Sequence, residues 1–141
     1  MGNTSSTIQK ISFEDVQFCL LNRESYLFIN TMSSTEQDCL IPYTVSIEEE
    51  ERIINECIRN AKKAIKIVIY GKNANDDKIY NKYQQLMNLG FYQIYVYTGG
   101  LFEWLLLQDI YGSNEFPTTK KEVDLLKYKP KKFLGTKLLE Y

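Results

Sequence analysis

This 141-residue chain contains no histidine, which turns attention to its three cysteines and its carboxylates and lysines as the groups that could do chemistry. The most suggestive segment is "GKNANDDK", Gly71 to Lys78, directly after the apolar run "IKIVIY". A polar loop following a buried strand is where α/β folds present functional groups. This loop has no Cys, Ser, Thr or His, and only Lys72, Asp76 and Asp77 in 71–77 carry charge. Two adjacent carboxylates are a weak metal site, since a hard cation such as Ca²⁺ takes about six to eight oxygen ligands. No metal and no cofactor is therefore expected. The simpler role for Asn75, Asp76 or Asp77 is to cap the next helix, taking its orphan N–H groups and complementing its dipole.

Without histidine, a His general base, Ser/His or Cys/His couples and most catalytic zinc sites are excluded. Cys19 and Cys57 fall on apolar helix faces, where a thiol acts as a small hydrophobe. That leaves Cys39, in the loop before "LIPY", as the candidate for a working thiol, and it would need exposure and electropositive surroundings. An odd cysteine count without metal-ligand spacing fits a reducing compartment, so a cytoplasmic location is expected. Seventeen basic against eighteen acidic residues leave a net charge of -1, giving no reason to expect nucleic acid as partner. No apolar run approaches the roughly 18 residues of a membrane span.

The elements that must position these groups alternate between strand-like and helix-like periods, the pattern of an α/β domain with a mostly parallel sheet. Ser12 and Asp15 form a capping-box signal opening the helix "FEDVQFCLLN", and "SYLFIN" follows as a short strand. The stretch "TMSSTEQDCLIPYTVS" reads as a loop carrying a small extended piece. Ser46 and Glu49 repeat the capping signal, with Ile47, Ile54, Cys57, Ile58 and Ala61 on one face of a helix running to about Ala64. "IKIVIY" is a central strand covered on both faces, and a helix with the stripe Ile79, Tyr83, Leu86, Met87 ends at Gly90. "QIYVY" gives another strand, and "LFEWLLLQDIYG" a helix apolar nearly all round. Val123, Leu125, Leu126, Tyr128, Phe133 and Leu134 of the tail are expected to cover its second face.

In this order the pieces resemble a rhodanese (sulfurtransferase-type) domain across residues 8–112. "ISFEDVQFCLL" is similar to the family's opening strand and helix. "LFINTMSSTEQDCLIPYTVSI" resembles its L-I-D-V-R and H-I-P-G-A stretch, with Asn30 at the usual Asp and Met32 at the usual Arg. "LGFYQIYVYTGGLFEW" resembles the family's closing pattern through Gly90, Gly99, Gly100 and Trp104. The resemblance implies a three-layer α/β fold with a central, mostly parallel sheet of about five strands. It also implies a cysteine nucleophile after "IVIY", whose thiolate carries sulfane sulfur as a persulfide inside a cradle of backbone N–H groups. Gly71 stands at that position, and Asp76 and Asp77 lie where a basic residue is usual.

The domain limits expected are 1–7 for a flexible leader, 8–112 for the rhodanese-like domain and 113–141 for a Lys-rich extension packed on it. "MGNTSS" matches the N-myristoylation pattern at Gly2, and seven lysines between 120 and 137 offer a second membrane signal. The leading expectation is a catalytically inactive binding or scaffold module for an unidentified protein partner. Its interaction surface would be the loop Gly71, Lys72, Asn73, Ala74, Asn75, Asp76 and Asp77, and a membrane surface is a second candidate partner. The competing readings are a thiol enzyme using Cys39 and a structural component of a larger assembly. Eleven tyrosines and no histidine suggest an AT-rich coding source, protist or large DNA virus; a viral source would place the protein in a virion or viral factory.

Overall fold

The computed structural model describes residues 7–135. The acylation pattern at Gly2 and the last tail lysine, Lys137, lie outside the described residues. Five strands, β1 (Gln9–Ile11), β2 (Tyr26–Asn30), β3 (Thr44–Val45), β4 (Lys66–Tyr70) and β5 (Gln93–Tyr97), form one parallel sheet in the order β1-β5-β4-β2-β3. Four helices connect them: α1 (Phe13–Leu21), α2 (Ile47–Arg59), α3 (Lys78–Asn88) and α4 (Gly100–Tyr111). β4 is central, which is why "IKIVIY" carries no polar alternation: both its faces are buried.

Alternate residues of β4 feed two cores. Val68 and Tyr70 join Val16 of α1 and Trp104 of α4, while Ile67 and Ile69 join Ile54 of α2 and Leu86 of α3. The sheet is thus sandwiched, with α1 and α4 on one face and α2 and α3 on the other. This register brings the C-terminal ends of β2 and β4 side by side, Asn30 opposite Tyr70, so the loops that follow them meet.

Local signals succeed where nothing competes for their side chains. The Ser12–Asp15 box forms, with the Ser12 N–H donating to Asp15 Oδ2 at 2.9 Å. At Ser46 the box does not form. Glu49 instead accepts from Arg52 at 2.6 Å, and only the Ser46 carbonyl reaches the Glu49 N–H, at 3.0 Å. α2 also stops at Arg59, short of Ala64, because the chain turns left-handed at Ala61 with φ 56°. An unforeseen box closes the one-turn helix Ser34–Glu36, where the Glu36 carboxylate accepts from the Ser33 N–H and hydroxyl.

The segment after α4 folds back over α1 and α4, but with different contacts from those expected. Tyr128 is buried and Leu125 half-buried, whereas Val123, Leu126, Phe133 and Leu134 are exposed. The main cover is Phe116, packed edge-to-face on Trp104 with ring centroids 5.0 Å apart. Trp104 Nε1 donates to the Pro117 carbonyl at 2.8 Å and Gln108 Nε2 to the Phe116 carbonyl at 2.7 Å. Burying Phe116 and Tyr128 contributes about 1.5–3 kcal/mol each, which holds the extension on the domain.

Candidate functional site

The loop leaving β4 is fixed from three sides. Its first two carbonyls, of Gly71 and Lys72, accept the N–H groups of Leu101 and Phe102 at the start of α4, both at 2.9 Å. Asn73 is buried. Its side-chain amide donates to the Tyr128 carbonyl at 2.9 Å, and its oxygen accepts the Asn75 N–H at 2.9 Å in an Asx turn. Ala74, Asn75 and Asp77 are exposed.

The Asp76 carboxylate folds back into the loop it belongs to. Oδ2 accepts the Lys72 N–H at 3.0 Å and the Thr31 hydroxyl at 3.0 Å, and Oδ1 accepts the Lys78 N–H at 3.0 Å. Of the three candidate caps, Asp76 therefore serves α3, while Asp77 occupies the N-cap position without a side-chain bond. A Cβ built on Gly71 would stand 2.3 Å from Asp76 Oδ2 and 2.8 Å from Thr31 Oγ1. Gly71 does not have a positive φ. The space a side chain would need here is filled by the Asp76 carboxylate, which any larger residue has to displace. Thr31 escapes a sequence reading because it follows a different strand; its position just after β2 is the available signal.

Beside the loop lies a cleft of about 400 Å³ floored by the buried Met32. Four lysines line it, Lys72, Lys78, Lys129 and Lys131, against Glu36 and Asp76. Two of the lysines come from the extension, so the positive character sought within the loop is supplied from elsewhere in the chain. Lys72 pairs with Glu36 at 2.7 Å. Burial raises the Glu36 pKa, but hydrogen bonds from Lys72 and Ser33 outweigh it and hold the carboxyl below its usual range. Asn30 is buried too, its amide shared with Gln37 and the Val45 carbonyl and its oxygen taking the Met32 N–H at 3.0 Å. The larger groove between α2 and α3, about 660 Å³, is lined by no cysteine and carries the Lys82–Glu50 ion pair in its wall.

Cys39 does not reach either cleft. It is 2% exposed, and its Sγ donates to the Lys120 carbonyl at 3.2 Å. The extension covers it: the Thr119 N–H donates to the Leu40 carbonyl at 2.8 Å and the Thr119 hydroxyl to the Asp38 carbonyl at 2.7 Å. Burial pushes all three thiols above the ordinary range, Cys19 to about 11. The folded protein is expected to react with a disulfide reagent at pH 8 about 100-fold more slowly than the urea-unfolded chain. Rapid labelling of one thiol in the folded state would restore the relocated nucleophile.

Among the described residues, no group of three or more His, Cys, Asp or Glu is placed to hold a metal, and no helix is long and apolar enough to cross a membrane.

The model of the Rhodanese-like domain family matches residues 20–107, more than half of the chain. The chain belongs to the rhodanese-like family. Solved rhodanese-like structures agree on the fold. One is the Alr3790 protein from Anabaena sp., with TM-score 0.57 and 21% identity over 83% of this chain and 97% of that one. A thiosulfate sulfurtransferase from Pseudomonas aeruginosa aligns with TM-score 0.55 and 19% identity, over 70% of this chain and 19% of that one. The single-domain sulfurtransferase RDL2 from Saccharomyces cerevisiae aligns with TM-score 0.52 and 12% identity, over 74% and 94%. No curated protein matches the chain. Phe116, Tyr128, Lys129 and Lys131 of the extension lie beyond the region that defines this rhodanese-like family match.

Proposed function

We propose that this rhodanese-like chain is catalytically silent and works as a binding or scaffold module, presenting the 71–77 loop to a protein partner. The observation that carries the reading is the Asp76 carboxylate in the space a Gly71 side chain would need. Sulfur transfer through a covalent persulfide needs a thiolate at the cradle. Gly71 supplies no sulfur, and an anion already accepts the N–H groups of Lys72 and Lys78. The place a cysteine side chain would take at position 71 is held by that carboxylate.

A thiosulfate-to-cyanide assay tests this. The purified protein is expected to give no turnover above buffer. Turnover that disappears in Cys39→Ser would show a thiol enzyme and overturn the reading.

A further inference from the structure

We infer that the cleft between the 71–77 loop and the extension is a binding site for a phosphoryl group carried on a segment of a protein partner. The inference rests on the reading of this chain as a binding module and names the chemistry its loop surface would recognise.

Four observations support it. First, the backbone donors of Lys72 and Lys78 are already taken by Asp76, so an external anion would be held by side chains. Second, the side chains are concentrated: of the four lysines at the cleft, only Lys72 has an ion pair among the described residues. Lys78, Lys129 and Lys131 line the cleft with Asp76 as the remaining carboxylate, in a protein whose net charge is -1. Like charges gathered in a concavity raise the local concentration of a counter-anion. The surplus of two positive charges matches a phosphomonoester, which carries about -1.5 to -2 near neutral pH.

Third, the cleft is built before any ligand arrives. Tyr128 is buried and its carbonyl takes the Asn73 amide, so Lys129 and Lys131 follow directly from an anchor that is tied to the loop. Fourth, the surface is concave. A volume of about 400 Å³ admits a phosphoryl group together with the side chain that bears it, whereas a bilayer would need a flat or projecting face. Lysine contributes point charges without the bidentate fork of arginine, so modest, salt-sensitive affinity is expected.

The test is an amide NMR titration of the full-length protein with a short alanine-flanked phosphoserine peptide, its unphosphorylated twin and inorganic phosphate. The phosphopeptide is expected to cause saturable shifts centred on Asn73, Asn75, Lys129 and Lys131, binding about tenfold or more tightly than inorganic phosphate and weakening with added salt. Lys129→Glu/Lys131→Glu, at two exposed positions, is expected to leave the melting temperature unchanged and to weaken binding about tenfold or more. Equal shifts with the serine peptide, or binding indifferent to the double substitution, would overturn the site. Inorganic phosphate binding as tightly as the peptide would overturn the partner-borne ligand. Co-sedimentation with phosphatidylserine vesicles, lost in the double variant and without peptide shifts, would overturn it in favour of a membrane. Thiosulfate turnover, measured on the same samples, separates failure of the silent-domain reading from failure of the cleft: either can occur without the other.

Discussion

Gly71→Cys is expected to destabilise the protein by about 2–4 kcal/mol and to give no thiosulfate-to-cyanide turnover. The new Cβ lands 2.3 Å from Asp76 Oδ2, so the carboxylate must leave, and with it go its bonds to the Lys72 N–H, the Lys78 N–H and the Thr31 hydroxyl. Hydrogen bonds to a charged acceptor contribute about 1.5–3 kcal/mol each before partial replacement by water, which sets the scale. Asp76→Ala forfeits the same bonds and is expected to cost a similar amount. The informative protein is Gly71→Cys/Asp76→Ala: once the carboxylate is gone, the cysteine side chain enters space already emptied. The double variant is expected to be more stable than the sum of the single effects by about 1.5–3 kcal/mol, measured by urea unfolding of the four proteins. Strict additivity would mean that Asp76 does not occupy the Gly71 side-chain space. A coupling of that size would place the Asp76 carboxylate in the space that a side chain at position 71 needs.

The sheet could be read from the sequence because a strand buried on both faces must be apolar throughout, and "IKIVIY" and "QIYVY" are separated by a helical stripe ending at Gly90. Capping was legible only as far as it stayed local. Ser12 keeps Asp15, but Glu49 is drawn to Arg52, and nothing in the spacing of Ser46 and Glu49 foretells that competition. The site was legible in its backbone and illegible in its contents. That Gly71 opens a loop at the end of the central strand follows from periodicity. That Asp76 meets Thr31, forty-five residues earlier in sequence, follows from β2 lying beside β4. The cationic wall and the burial of Cys39 depend on how the extension returns across the domain, and its own pattern misleads: of its expected anchors, Leu126, Phe133 and Leu134 are exposed while Phe116 goes unnoticed between Glu115 and Pro117.

The second large effect lies at the other wall of the loop, where Gly100→Ala is expected to cost about 2–4 kcal/mol. Two costs add there. Gly100 has φ 73°, a conformation that an L side chain resists. A Cβ would also stand 2.9 Å from both N and Cα of Asn73 and 3.0 Å from the Gly71 carbonyl oxygen. These are backbone atoms, so relief requires moving the loop away from α4 and stretching the bonds from Leu101 and Phe102 to the Gly71 and Lys72 carbonyls. Gly112 is a positive-φ glycine without the contact: its φ is 102° and its ψ 161°, a region open essentially to glycine, and a Cβ there meets nothing within 4 Å. Gly112→Ala should therefore lose stability through the dihedral alone, by about 1–3 kcal/mol in urea unfolding, and the two substitutions are told apart by what happens to the loop. The amide resonances of Asn73 and Asn75 should shift in Gly100→Ala and stay in place in Gly112→Ala. Unmoved Asn73 and Asn75 resonances in Gly100→Ala would mean that α4 does not clamp the loop, and that the loop's shape is held by Asp76 and Tyr128.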